Sequence, residues 1–185
     1  MRIRRKPWAR PELAACSFFV DEPCLHKGKW ADWFEKQQPL HLELGCGKGG
    51  FVAQLALANP GINYLAVDIK SEVLAIGRRE IVRLFEENGR RVSNVALMSH
   101  DIARIDQMLS PDDRIERIYI NFCNPWPKAK HKKRRLTYPR QLALYKAFLV
   151  KGGEVRFKTD DEGLFYDSLA YFGPVSYTHL TLPTT

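Results

Sequence analysis

LHLELGCGKGG, residues 40–50, decides the fold. Leu40, Leu42 and Leu44 mark a short buried strand. The strand runs into a glycine loop at Gly45, Gly47, Gly49 and Gly50, and the loop opens an apolar helix that begins with Phe51, Val52, Leu55 and Ala56. Glycines tolerate positive φ and let backbone N–H groups approach a ligand. A strand, a tight glycine turn and a helix form the nucleotide-binding corner of an open α/β sheet. Gly45, Gly47 and Gly50 also satisfy G-x-G-x-x-G, so the glycines by themselves do not name a cofactor. Glu43 adds information. A carboxylate at the strand end repels a pyrophosphate and suits a ligand with a positive group or hydroxyls. That favours S-adenosylmethionine over NAD, with a ligand-free glycine turn as the competing reading.

Outward from this corner the chain alternates strands and helices. Residues 64–68, YLAVD, form a second strand ending in Asp68, about where a ribose-binding carboxylate belongs. The alternative for Asp68 is a helix cap, a role Ser71 also suits. Residues 71–88 read as a helix with Leu74, Ile81, Leu84 and Phe85 as its buried stripe, stopped by Asn88-Gly89. Its arginines, and Arg90 and Arg91 after it, read as solvated. Residues 95–99 give a third strand, followed by His100-Asp101. Asp101 suits an adenine amino group or the cap of a helix over 102–109. Residues 117–122 give a fourth strand.

The segment after that strand is the most unusual, CNPWPKAKHKKRRL, residues 123–136. Ligands gather outside the carboxyl ends of strands in such sheets, so Asn124-Pro125-Trp126-Pro127 falls where a reacting group sits. Six of the eight residues 128–135 are Lys or Arg, which reads as a phosphate grip. A helix over 137–150, capped by Thr137, leads to a fifth strand at 154–159. Asp160 then either caps the last helix or grips substrate. Before residue 23, Pro7, Pro11 and Pro23 predict extended or irregular chain. Residues 28–36 predict a short helix carrying Trp30, Trp33 and Phe34.

The 185 residues fit one domain with a real core, and the net charge of +8 calls for an acidic partner. No apolar run approaches a membrane span. The four cysteines form no C-x-x-C pair, so reduced thiols in a cytosolic protein fit better than disulfides or zinc. No metal and no membrane are expected. Three stretches are expected: a basic arm at 1–27, the α/β domain at 28–172, and an uncharged Thr- and Leu-rich tail at 173–185. At most a poor strand runs through Tyr177, His179 and Thr181, and the tail reads as disordered or foreign.

MRIRRKPWARPEL, HLELGCGKGG, YLAVDIKSEVL, NFCNPWPKAKHKKRRLTYPRQL and VRFKTDDEGLF together resemble the bacterial tRNA (guanine-N7)-methyltransferases, from residue 1 to about 172. The P-W-P-K block with its basic run is the specific part. The resemblance implies a Rossmann-like class I methyltransferase with a doubly wound, mostly parallel sheet. It implies S-adenosylmethionine as cofactor, tRNA as partner, and a cytoplasmic protein that methylates N7 of the variable-loop guanine, position 46. It places Glu43, Gly45, Gly47, Asp68, Asp101 and Asn124 at the cofactor. It places Lys128 and Asp160 at substrate, and Lys130, His131, Lys132, Lys133, Arg134 and Arg135 at RNA. Asn124 holds the position usually called catalytic, where many members have Asp; an amide cannot take a proton. The family's final strands and its T-x-[YF]-E motif are missing, so a truncated or chimeric end is expected. The alternatives are an exocyclic-amino nucleic-acid methyltransferase, since N-P-W resembles N-P-P-[YF], and a non-catalytic RNA-binding remnant.

Overall fold

Residues 6–173 and the pair Leu180–Thr181 are described by a computed structural model. Residues 1–5 of the expected basic arm, and the remainder of the tail, lie outside the described residues.

The five expected strands are present as β2 (Leu40–Leu44), β3 (Asn63–Asp68), β4 (Val95–Ser99), β5 (Ile115–Asn121) and β6 (Leu149–Lys158). Two short strands join the edges, β1 (Phe19–Val20) and β7 (Leu180–Thr181). The order is β1-β4-β3-β2-β5-β6-β7, with every pairing parallel. The order reverses direction at β2, and ligands bind at such a switch point, beyond the carboxyl ends of the strands. The glycine loop therefore starts where the topology calls for a site.

Strand side chains alternate between the two faces. One face holds Leu40, Leu42, Leu44, Leu65, Val67, Ile118, Ile120, Val155 and Phe157. Against it pack α2 (Trp30–Trp33), α5 (Pro139–Phe148) and α6 (Glu162–Phe172), through Trp30, Leu142, Tyr145, Phe148, Leu164 and Phe172. The other face buries Tyr64, Ala66, Leu97 and Tyr119 under α1 (Ala9–Ala14), α3 (Gly50–Ala58) and α4 (Ser71–Glu87). Burying one such leucine contributes roughly 1.5–3 kcal/mol. Trp30 is fully buried, and its indole N–H donates to the Met108 carbonyl at 2.8 Å. Asp113 accepts from the backbone N–H groups of Gly28, Trp30 and Ser110, which fixes this corner.

Several local expectations change. The segment before residue 23 is not irregular: α1 forms there and β1 adds to the sheet edge. Pro11 is tolerated because N–H groups in a first helical turn lack partners anyway. Glu12 then pairs with Arg78 and Arg79 of α4, so those arginines are ion-paired rather than merely solvated. Ser71 and Thr137 do not cap their helices. Thr137 is buried and meets the Ser168 hydroxyl at 2.7 Å. The helix expected over 102–109 is a 3-10 turn, Ile102–Gln107. In the tail, Leu180 and Thr181 pair with Phe157 and Lys158 of β6.

Candidate active site

The glycine loop is held from two directions. The N–H groups of Gly45 and Cys46 donate to the Val67 carbonyl at 2.8 and 3.0 Å, which staples the loop to β3. Gly45, Gly47 and Gly49 take φ of 78°, 52° and 68°, conformations that disfavour side chains. From the other direction α4 presses on the loop through Gly77. A Cβ there would stand 3.0 Å from the Lys48 carbonyl carbon and 3.2 Å from the Gly47 oxygen. Glycine inside a helix is unfavourable by roughly 0.5–1 kcal/mol relative to alanine, so close approach explains its presence. Sequence reasoning passed over Gly77, although a glycine in the middle of a strong helix was the available signal.

Asp68, the last residue of β3, accepts the Gly47 N–H through one oxygen and the Lys70 N–H through the other, both at 3.1 Å. Each oxygen keeps a further lone pair for a ligand hydroxyl. Glu43 lies on β2, buried beneath the loop. Burial pushes its carboxyl up to about 7, and the nearby Asp68 carboxylate adds to the push. Its Oε2 is buried without a hydrogen-bond partner, and so is Nδ2 of Asn121. A buried carboxylate oxygen left unpaired is costly unless something pairs with it. An orphaned acid under a loop whose Gly47 has open space around it fits a ligand carrying a positive group.

Asp101 follows β4 and caps the 3-10 turn, accepting the Ala103 N–H at 3.0 Å. His100 meets the Arg104 carbonyl at 2.9 Å. Beside them, a groove of about 530 Å³ runs along the same edge between α1, Phe19, Asp21, Ser71 and Ser99. Because β4, β3, β2 and β5 are adjacent and parallel, Asp101, Asp68, Glu43 and Asn124 all stand at one edge of the sheet.

Beyond β5 the backbone is strained. Phe122 and Trp126 take φ of 49° and 44°. Bulky residues in that region cost about 1–3 kcal/mol each and persist only where the surroundings enforce them. Asn124 is exposed and its Oδ1 accepts the Trp126 N–H at 3.2 Å, closing an Asx turn. Its amide Nδ2 is left to donate elsewhere. Arg135 enforces the bend from below. It is 3% exposed, donates to the Pro125 carbonyl at 2.7 Å and pairs with Asp167 on α6. Lys132 pairs with the same carboxylate at 2.7 Å. Those two cations hold the Asp167 carboxyl below its usual range.

The six residues grouped at RNA therefore separate. Arg135 is not a surface contact; it is a buried brace for the P-W-P turn. Lys132 is shared with Asp167. Lys130, Lys133 and Arg134 are exposed, as is Lys128, while His131 and Arg134 flank the Trp126 ring at 5.7 and 5.2 Å. A run of basic letters cannot reveal which member turns inward. Asp160 is exposed, and the capping belongs to Asp161, whose Oδ1 accepts the Leu164 N–H at 2.6 Å. All four cysteines are free. Among the described residues no three His, Cys, Asp or Glu side chains group as metal ligands, and no helix is long and apolar enough to cross a membrane.

A doubly wound parallel sheet with an acid-and-glycine corner at its switch point defines a Rossmann-like class I methyltransferase. A family model described as "Putative methyltransferase" matches residues 37–182. A solved "putative methyltransferase from Thermoplasma acidophilum" superposes with a TM-score of 0.53 at 16% identity, covering 78% of this chain and 53% of that one, a likeness of fold. A tRNA (guanine-N(7)-)-methyltransferase of Ruminiclostridium cellulolyticum is 60% identical over 93% of this chain and 73% of its own. Its counterpart from Clostridium perfringens strain SM101 is 56% identical over 98% of this chain and 84% of its own. The chain belongs to the tRNA (guanine-N7)-methyltransferase family.

Proposed function

We propose that this chain transfers the methyl group of S-adenosylmethionine to N7 of a guanine in tRNA, the variable-loop guanine at position 46. The observation that carries this reading is one shared edge. It sets an orphaned acid under a glycine loop beside a braced N-P-W-P turn with exposed cations next to it. In this reading residues 28–172 form the catalytic domain, and α1 and β1 of the expected arm at 1–27 pack into it. A tRNA substrate puts the work in the cytoplasm.

When bound, S-adenosylmethionine supplies an electrophilic methyl on a sulfonium. Guanine N7 already carries an in-plane lone pair, so no base is needed and an amide at 124 suffices. The chain's contribution is alignment and exclusion of water, which lowers a barrier by several kcal/mol. Glu43 is assigned to the positive end of the cofactor, Gly45 and Gly47 to its close passage over the backbone, Asp68 to its hydroxyls and Asp101 to its adenine. Asn124 Nδ2 donates to the O6 acceptor beside N7, orienting the base edge. Asp160 faces the positive charge that develops on the ring. Lys128, Lys130, His131, Lys133 and Arg134 are assigned to RNA.

Labelled-methyl transfer to unmodified tRNA, with the modified atom mapped, tests this. Wild type should label guanine N7. Asn124→Ala should lower turnover on the order of a hundredfold, much more than it lowers cofactor affinity. Label on an exocyclic amine would make the chain an enzyme of the other specificity. RNA binding without transfer would make it a remnant.

A further inference from the structure

Phe122 is not placed by burial. It is 55% exposed, although it follows β5 directly and stands two residues before Asn124. Its φ is 49°, a conformation that a bulky aromatic side chain resists. Its N–H donates to the Lys158 carbonyl at 2.8 Å, which holds the strained residue in register with β6. The Lys158 ammonium lies 5.4 Å from the ring centroid, and Lys158 is itself exposed at the end of β6, two residues before Asp160. Burial repays little of this strain, because the residue is more than half exposed. A half-exposed aromatic ring beside a reacting position, with a cation over it, has the chemistry of a nucleotide seat.

We propose that Phe122 is the stacking platform for the target guanine and that Lys158 holds the phosphate next to it. The assignment deepens, and rests on, the tRNA methyltransferase reading given above. Strand β5 aims the ring, the positive φ turns it outward, and the base lies on it with its N7 edge toward Asn124. Methylation makes the base cationic, and a π-face attracts a cation more than a neutral ring. The platform therefore favours the charged ring of the transition state over the ground state, so part of its effect appears in kcat.

The test uses the full chain and unmodified tRNA, with Phe122→Gly, Phe122→Tyr and Lys158→Met compared with wild type. Glycine accepts the positive φ, so Phe122→Gly should melt no lower than wild type. It should bind S-adenosylmethionine normally yet lose roughly ten- to a hundredfold in kcat/KM for tRNA, with kcat reduced as well as KM raised. Phe122→Tyr should restore activity to within about threefold, and Lys158→Met should lower the salt dependence of tRNA binding by about one phosphate contact. A Phe122→Gly enzyme within twofold of wild type overturns the proposal, as does a loss that tyrosine does not repair. Wild-type transfer to an atom other than guanine N7 overturns only the reading of the reaction, since a drop in Phe122→Gly would still support the platform. No transfer by wild type overturns both.

Discussion

The two faces of the sheet are built on different rules. Beneath α2, α5 and α6 every strand from β4 to β6 contributes apolar side chains, ending with Val155 and Phe157. The opposite face is apolar over β3 and β4 and at the buried Tyr119 of β5. The rest of β2, β5 and β6 reads His41, Glu43, Arg117, Asn121, Glu154, Arg156 and Lys158 on that side. Parallel sheets ordinarily bury both faces, so their strands run as continuous apolar stretches. Here β6 alternates, E-V-R-F-K, and leaves Arg156 and Lys158 exposed. Both faces bury a core, and the second also supplies charge close to the reacting edge.

Neighbours on β6 give the largest contrast. Phe157→Ala should lower unfolding free energy by about 3–5 kcal/mol, and Arg156→Gln should stay within about 0.5 kcal/mol, since its partner Glu154 meets it at a half-exposed site. Chemical denaturation reads both, and equal losses would erase the distinction between the faces.

Protons sharpen the comparison next. Glu43 is raised from 4.5 to about 7, so its folded form holds a proton that the unfolded chain releases first. Stability from this group is therefore lost as pH rises from about 4.5 to 7. His41 is pulled down from 6.5 to about 4, by burial first and by Arg117 and Arg156 next. Its contribution is lost in the other direction, as pH falls from 6.5 to about 4. The two windows overlap and oppose, each amounting to roughly 3 kcal/mol at most. Glu43→Gln should unmask stability that climbs between pH 4 and 6.5, and His41→Asn should unmask stability that declines between pH 4.5 and 7. Denaturation midpoints across this range decide it; two flat profiles would contradict the buried placement of both groups.

Gly77→Ala should come third. Its Cβ drives into the backbone of Lys48 and Gly47, at a cost of about 1–3 kcal/mol. The displaced loop should weaken S-adenosylmethionine binding by about tenfold in calorimetry; normal affinity would mean the loop yields without consequence.

The smallest effect separates outward from inward cations. Lys133→Gln should reduce the logarithmic salt slope of tRNA binding by about one contact and leave the melting temperature alone. Arg135→Gln should do the reverse, lowering stability and leaving the slope nearly intact, because its guanidinium is spent on Pro125 and Asp167. With four exposed cations in residues 128–135 rather than six basic residues, the slope should be nearer three than five.

The strands and main helices were legible because each carries a periodic apolar pattern, as in Leu40, Leu42 and Leu44 or in Leu74, Ile81 and Phe85. The edge strand at Phe19 and Val20 was not, because two residues hold no period and only the neighbouring β4 makes them a strand. Helix α1 was obscured by Pro11, whose position in the first turn removes the usual penalty. Ser71 and Thr137 have the residue type of a helix cap but do not cap, and Thr137 spends its hydroxyl on Ser168.

The order of residues along the chain determined the alternation of strand and helix, the glycine corner with its acid, and the unusual N-P-W-P-K block. These are local signals, written in neighbouring side chains. Tertiary structure alone decided that Arg135 turns inward, that Gly77 backs the glycine loop, that Glu43 lies orphaned beneath it and that Phe122 stands open to solvent. Each of those depends on which distant segment arrives alongside, and packing across the sheet, not spacing along the chain, sets that.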